Sequence, residues 1–284
     1  MQLLLIVASV IWGINVIVMK VIMESLPMYL VAGIRVFCAS IIVGAILLFK
    51  KQSIKISMKQ FWVVLCISFF NVSLNFYLSF TGLRLLEGSS TAIINALSPM
   101  VTYILSYLIL KEKLHKKTLM GVLISVFGFI ISIRFNINAL SMGSWFLLAS
   151  LVAYSYSTIL VKQKGEGIPF LVISFYSLLL GALQLLALSY IFEGLPVGLI
   201  ATLSLQNLLL FLIFSICGFA FIQSVHLRAV NTLGPTTTSF YLNLNPIFTY
   251  LAAIIFLGEA IDIFQVIGFI IILISLFIER KKRS

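Results

Sequence analysis

The sequence predicts an all-α membrane protein of ten transmembrane helices, built as two inverted five-helix repeats. Three observations carry that expectation. Apolar runs are long enough to cross a bilayer, basic residues favour alternate connections, and one phrase of sequence occurs twice.

The runs come first. Of 284 residues, 62% are hydrophobic and only 10% are charged, and the mean hydropathy is +1.19, well outside soluble globular usage. Ten apolar stretches lie at about 3–23, 27–49, 60–81, 89–110, 117–134, 143–162, 169–192, 206–226, 236–257 and 262–279. Each is near the roughly 20 residues that cross the hydrocarbon core. Lipid offers an open backbone no hydrogen bonds, so each run must satisfy itself as a helix. The alternating pattern of a membrane barrel is absent. The first run has no basic residue before it and no small-residue cleavage site after it, so it is expected to stay as the first helix. Cys38, Cys66 and Cys217 all sit inside apolar runs, without disulfide or metal-ligand spacing, and are expected to be buried thiols.

Charge gives the orientation. A net charge of +11 could suggest a nucleic-acid partner, but its distribution excludes that reading. With the N-terminus inside, the inward connections and tail hold fifteen of the nineteen basic residues: Lys50, Lys51, Lys55, Lys59, Lys111, Lys113, Lys116, Lys117, Lys162, Lys164, Arg228, Arg280, Lys281, Lys282 and Arg283. The outward side holds Lys20, Arg84 and Arg134, and Arg35 lies within the second run. Positive residues collect on the cytoplasmic side of membrane proteins, so both termini are expected there, with the basic tail against anionic headgroups.

The repeated phrase is "LSPMVTYILSYLILKEKL" at 97–114 and "LNPIFTYLAAIIFLGEAI" at 244–261. Pro99, Thr102, Tyr103 and Glu112 fall on Pro246, Thr249, Tyr250 and Glu259. The first and sixth runs match as well, placing Trp12 on Tyr154, Asn15 on Ser157, Lys20 on Lys162 and Pro27 on Pro169. Two units follow, 1–138 and 139–284. Five is an odd number, so the second unit enters the membrane from the opposite face. Glu112 accordingly sits among cytoplasmic lysines and Glu259 in an outward loop. Inverted repeats of this kind characterise transporters, with the substrate site near the midplane between the halves.

With its two five-helix halves, "WGINVIVMK" in the first helix and P-x-x-T-Y-x8-E-x8-G written twice, the chain resembles the EamA-type branch of the drug/metabolite transporter superfamily over essentially its whole length. The resemblance implies a ten-helix exporter or facilitator of small metabolites, often amino acids, at a bacterial inner membrane. The sixth run has "AYSYST" where the first has "WGINV", so the two halves are not equivalent at a shared site.

Polar residues within the runs mark the candidate site. Pro99 and Pro246 each lie about 15 Å into their helices, where a proline frees a carbonyl that could meet substrate. Asn95 and Asn243 flank them. Asn71 and Asn75 share one face of the third run, and the eighth, its counterpart in the repeat, offers Ser215 and Gln223. Buried amides are costly in lipid and should face the bundle interior, although interhelical glue is a competing role. Trp12, Asn15, Tyr154 and Tyr156 are placed on the cavity wall. Arg35 is too deep to reach water easily, so it either takes a substrate carboxylate or braces carbonyls. Lys20 and Lys162 are expected to snorkel to opposite interfaces. Glu112 and Glu259 close their helices at the end where the dipole disfavours negative charge. They are expected to be structural clasps, held by N–H donors at the next helix or by a nearby cation.

No carboxylate lies deep in a helix, which favours facilitated diffusion or exchange over a buried proton relay. No catalytic constellation, metal-ligand spacing or nucleotide loop is present, so no enzyme activity, metal or cofactor is expected. The expected partners are a small-molecule substrate and the bilayer, and a monomer already encloses a site. The reading is a transporter of small polar or amphipathic metabolites, amino acids first, by alternating access. The alternative is a lipid-handling or assembly protein with the same fold and no soluble cargo.

Overall fold

The computed structural model describes residues 1–23, 26–111, 116–136, 140–165, 167–194 and 244–280. Between 195 and 243 it describes only Leu209, Ile213, Gly218, Phe219, Phe221, Ile222, Val225, Arg228, Ala229 and Tyr241. The described residues are helical, without strands: α1 Gln2–Ile22, α2 Met28–Phe49, α3 Met58–Ser68, α4 Asn75–Leu85, α5 Gly88–Asn95, α6 Ser98–Leu110, α7 Lys116–Ser132, α8 Met142–Lys164, α9 Phe170–Phe192, α10 Asn245–Leu257 and α11 Ile263–Arg280. Six helical stretches are long and apolar enough to cross a membrane, namely α1, α2, Met58–Leu85, Gly88–Leu110, α8 and α9. Shorter apolar helices follow at Leu119–Ser132, Asn245–Leu257 and Ile263–Ser275. The eighth apolar run, and the ninth as far as 243, lie outside the described residues apart from the few named.

Two expected spans are interrupted. A π-helical segment, Phe69–Leu74, joins α3 to α4. The fourth span breaks at Ala96–Leu97 and restarts at Ser98, with Pro99 in the first turn of α6. Pro246 likewise opens α10. A first-turn proline gives up an N–H that would be unsatisfied anyway, so each stands at a helix start, and at Pro99 the described chain breaks where a kink within one rod was expected.

The outside of the bundle is apolar as well as its core, unlike the surface of a soluble protein. Leu48, Phe49, Ile191, Phe192 and Ile255 are among the large apolar residues exposed on the outside, while Ser9, Ser68, Ser73, Ser125, Ser155, Ser157 and Ser177 are buried. Lipid is as apolar as leucine, so helices associate through small residues and hydrogen bonds instead. The α7–α11 pair shows how. A Cβ on Gly268 would lie 2.3 Å from the Gly128 carbonyl oxygen, and Ser125 and Ser275 share a hydrogen bond of 2.5 Å. Cys66, expected to be buried, is exposed on the outside of the bundle.

The most extensive contacts pair α2 with α9 and α7 with α11. In addition, α1 packs on α10, while α8 packs on α6 and α4. Under the sequence repeat, α2 and α9 occupy equivalent positions, as do α7 and α11. The contact of α1 with α10 has its counterpart in that of α8 with α6. Gly13 lets α1 approach closely: a Cβ there would lie 2.5 Å from the backbone of Phe248.

Candidate functional site

Arg35 sits in the second turn of α2, about 10 Å from its N-terminal end at 1.5 Å per residue. It is 4% exposed. Its guanidinium lies 4.4 Å from the ring centre of Phe219, 5.6 Å from Phe76 and 5.7 Å from Phe80. One terminal nitrogen donates to Asn15 Oδ1 at 3.0 Å. The Nε atom is buried without a hydrogen-bond partner among the described residues. Trp12 extends the aromatic wall, its ring 6.3 Å from Phe219. Placing an arginine at the centre of a bilayer-spanning helix costs about 3 kcal/mol by insertion scales, and a desolvated cation–π contact offsets about 2 kcal/mol. Three rings and one amide therefore make the cation tolerable without an anion.

A second cluster joins the third span to α8. Ser157 Oγ donates to the Tyr154 carbonyl at 2.6 Å and lies 3.4 Å from Asn71 Oδ1. Asn75 Nδ2 donates to the Asn71 carbonyl at 3.1 Å. Asn71 belongs to the π segment, where such insertions re-aim side chains. Tyr156 packs edge-on against Phe70, centroids 4.7 Å apart. Tyr154 itself is 41% exposed. Thr102 Oγ1 lies 2.8 Å from Ser155 Oγ, linking α6 to α8. Asn95, half-buried at the end of α5, joins neither cluster by a hydrogen bond among the described residues. Pro99 and Pro246 stay at their helix starts. Ser215, Gln223, Asn243 and Glu112 lie outside the described residues.

Glu259 engages the other half of the chain. Its two carboxylate oxygens accept from the backbone N–H groups of Gly88 and Ser89 at 2.6 and 2.8 Å, at the start of α5. Lys20 Nζ is 3.7 Å away and donates to the Leu86 carbonyl at 2.5 Å, so it is held at a junction and does not simply snorkel. The donors come from α5 and not from α11, the next helix in sequence. Burial pushes the Glu259 carboxyl up, but the Ser89 and Gly88 donors and Lys20 outweigh it and hold the group below its usual range. Glu193, at the end of α9, does the same for α2, accepting from Tyr29 N and Leu30 N at 2.9 and 3.1 Å. Asp262 accepts from Arg134 at 2.6 Å and from Phe264 N at 2.8 Å.

Sequence reading missed Phe76, Phe80, Phe219, the π segment and the Glu193 cap. Only Glu193 left a usable signal: an acidic residue closing an apolar run, in a chain with eight acids.

The comparisons fit this class of molecule, a multi-pass membrane protein with polar side chains gathered inside. The EamA-like transporter family model matches residues 1–134 and 141–279, and the chain belongs to that family. It is similar to the uncharacterized transporter YetK of Bacillus subtilis, at 29% identity over 62% of this chain and 56% of that protein. The uncharacterized transporter YoaV, also of Bacillus subtilis, aligns at 23% identity over 95% of this chain and 92% of its own. An S-adenosylmethionine/S-adenosylhomocysteine transporter of Chlamydia muridarum aligns at 25% identity over 88% of this chain and 82% of its own. A crystal structure with 15% identity superposes at a TM-score of 0.67 over 100% of this chain and 98% of the other, a likeness of fold. The family and these relatives are transporters and not enzymes. This chain is a membrane transporter of small molecules.

Proposed function

We propose that the chain is a ten-helix exporter or facilitator of small polar or amphipathic metabolites, amino acids first. Its two inverted repeats, 1–138 and 139–284, would alternate access to a midplane site. The observation that carries this reading is the gathering of Asn15, Arg35, Asn71, Asn75 and Ser157 inside a bundle whose outside is apolar. The equivalent pairings α2–α9 and α7–α11 support the inverted repeat. Aromatic walls at Trp12, Tyr156 and Phe219 suit an apolar side chain, and the amides and arginine suit a zwitterionic head. The relatives that carry S-adenosylmethionine move a molecule with an amino-acid end, in keeping with that class. Alternation between two faces also suits an inner-membrane protein with both termini in the cytoplasm, working as a monomer.

Asn95, Pro99, Tyr154, Pro246, Ser215, Gln223 and Asn243 complete the proposed wall, and Glu112 and Glu259 act as clasps. The test is uptake of labelled amino acids and nucleosides into liposomes holding the purified protein, with and without a pH gradient. Uptake of one class that is lost on Asn75→Leu and indifferent to the gradient is the expected result. Uptake that follows the gradient would overturn facilitated diffusion, and no uptake of any compound would overturn the transporter of soluble metabolites.

A further inference from the structure

All eight acidic residues of this chain stand at or beyond helix ends. Glu24 lies between α1 and α2, Glu87 precedes α5, and Glu112 follows α6. Glu166 follows α8, Glu193 ends α9, Glu259 and Asp262 lie between α10 and α11, and Glu279 falls in the last two residues of α11. Among the described residues no carboxylate stands within a span at the depth of Arg35. Glu193, which reaches the start of the same helix, has both oxygens on the N–H groups of Tyr29 and Leu30. Among the described residues the ion pairs are Lys20 with Glu259 and Arg134 with Asp262, and Arg35 enters neither.

The surroundings of Arg35 are those of a cation held ready. Three phenylalanine rings face it, and ring faces stabilise a cation without competing for its hydrogen-bond donors. Asn15 takes one donor and leaves Nε, buried and unpaired. Arginine presents its donors as a planar fork that fits a carboxylate in two parallel bonds. A purely structural arginine would be expected to use that fork on carbonyls of neighbouring helices, and this one uses a single amide.

We infer that Arg35 is the counter-charge for the substrate: the cargo bears a carboxylate that docks on the guanidinium, with its apolar part against Phe76, Phe80, Phe219 and Trp12. The missing carboxylate of the interior is thus supplied by the ligand. Small organic acids and amino acids qualify, and amines, amides and uncharged nucleosides do not. This rests on the transport reading above and sharpens it to a substrate class.

The full-length protein in detergent is tested by thermal shift with millimolar L-phenylalanine, L-leucine and phenylacetate, against L-phenylalaninamide and phenethylamine. Uptake of the same compounds is measured in liposomes. Carboxylates are expected to stabilise, and removing the carboxylate should weaken binding about tenfold to a hundredfold, as for a charge-assisted hydrogen bond. Arg35→Gln should lose the difference between acid and amide. Asn15→Asp places a carboxylate beside the guanidinium, so it should raise the melting temperature without ligand and abolish the response to acids. That variant keeps the inference open to refutation should Arg35→Gln fail to fold.

Equal responses to acids and amides, undiminished response in Arg35→Gln or Asn15→Asp, or no response to any acid would each overturn the inference. Liposome uptake of amines independent of Arg35 would remove the anion site and leave the transporter. Acid binding through Arg35 without uptake of any compound would leave the site and remove the transporter.

Discussion

The outer rim and the interior of this molecule treat charge in opposite ways. At the rim, carboxylates of the second half meet donors of the first: Glu193 caps α2, Glu259 caps α5 beside Lys20, and Asp262 pairs with Arg134. In the interior, Arg35 has rings and one amide but no carboxylate. Where the chain needs a charge balanced for its architecture it supplies both signs itself. Among the described residues Arg35 is a buried cation that meets no carboxylate, and that is where the proposed substrate anion would dock.

Four expected outcomes break or sharpen that contrast, beginning with the largest. Asn15→Leu strips the interior cation of its described hydrogen-bond acceptor and should destabilise by about 2–3 kcal/mol, the range for a hydrogen bond to a charged group, read by unfolding in detergent. Glu259→Gln keeps the shape of the rim contact and removes the charge that two N–H groups point at. The expected loss is about 1–2 kcal/mol, read as a lower melting temperature.

The acid limb follows from the same group. The Glu259 carboxyl is held below its ordinary value of 4.5 in the fold, so its stabilisation is fully present above that value and is lost as pH falls through the folded one. A melting-temperature profile should therefore fall on the acid side, and fall less steeply in Glu259→Gln. Asp262 is also held low: slight burial raises it, while Arg134 and the N–H groups of Phe264 and Gln265 outweigh that, so it should supply part of the remaining slope. Arg134→Ala is the smallest change. Its side chain is 62% exposed, and an exposed pair contributes at most about 1 kcal/mol, so the melting temperature should barely move. A shift as large as that of Glu259→Gln would mean that the rim works as one network and not as separate caps.

Much of this was legible in the sequence. Apolar run length located the six described spans, because lipid demands that each segment satisfy its own backbone. The proline positions marked the break before Ser98 and the start of α10 at Asn245, though a kink was expected at Pro99 where the helix restarts. The duplicated glutamate pointed to an engaged carboxylate, but spacing gives no hint of which helix faces it, so the partners Gly88 and Ser89, 171 and 170 residues away, were out of reach. The ring box around Arg35 was illegible for a different reason. The chain has 24 phenylalanines, five of them in the third span alone, and only packing distinguishes Phe76, Phe80 and Phe219 from the rest. The π segment at Phe69–Leu74 leaves no compositional trace at all.

The direction of the rim contacts has a consequence for how the molecule is made. The caps on α2 and α5 come from Glu193 and Glu259, and a chain emerges from the ribosome N-terminal part first. The helix starts of α2 and α5 thus meet these acceptors only once the trailing half has been synthesised. A leading half expressed alone should therefore be less stable than in the whole chain, and a trailing half supplied as a separate polypeptide should stabilise it.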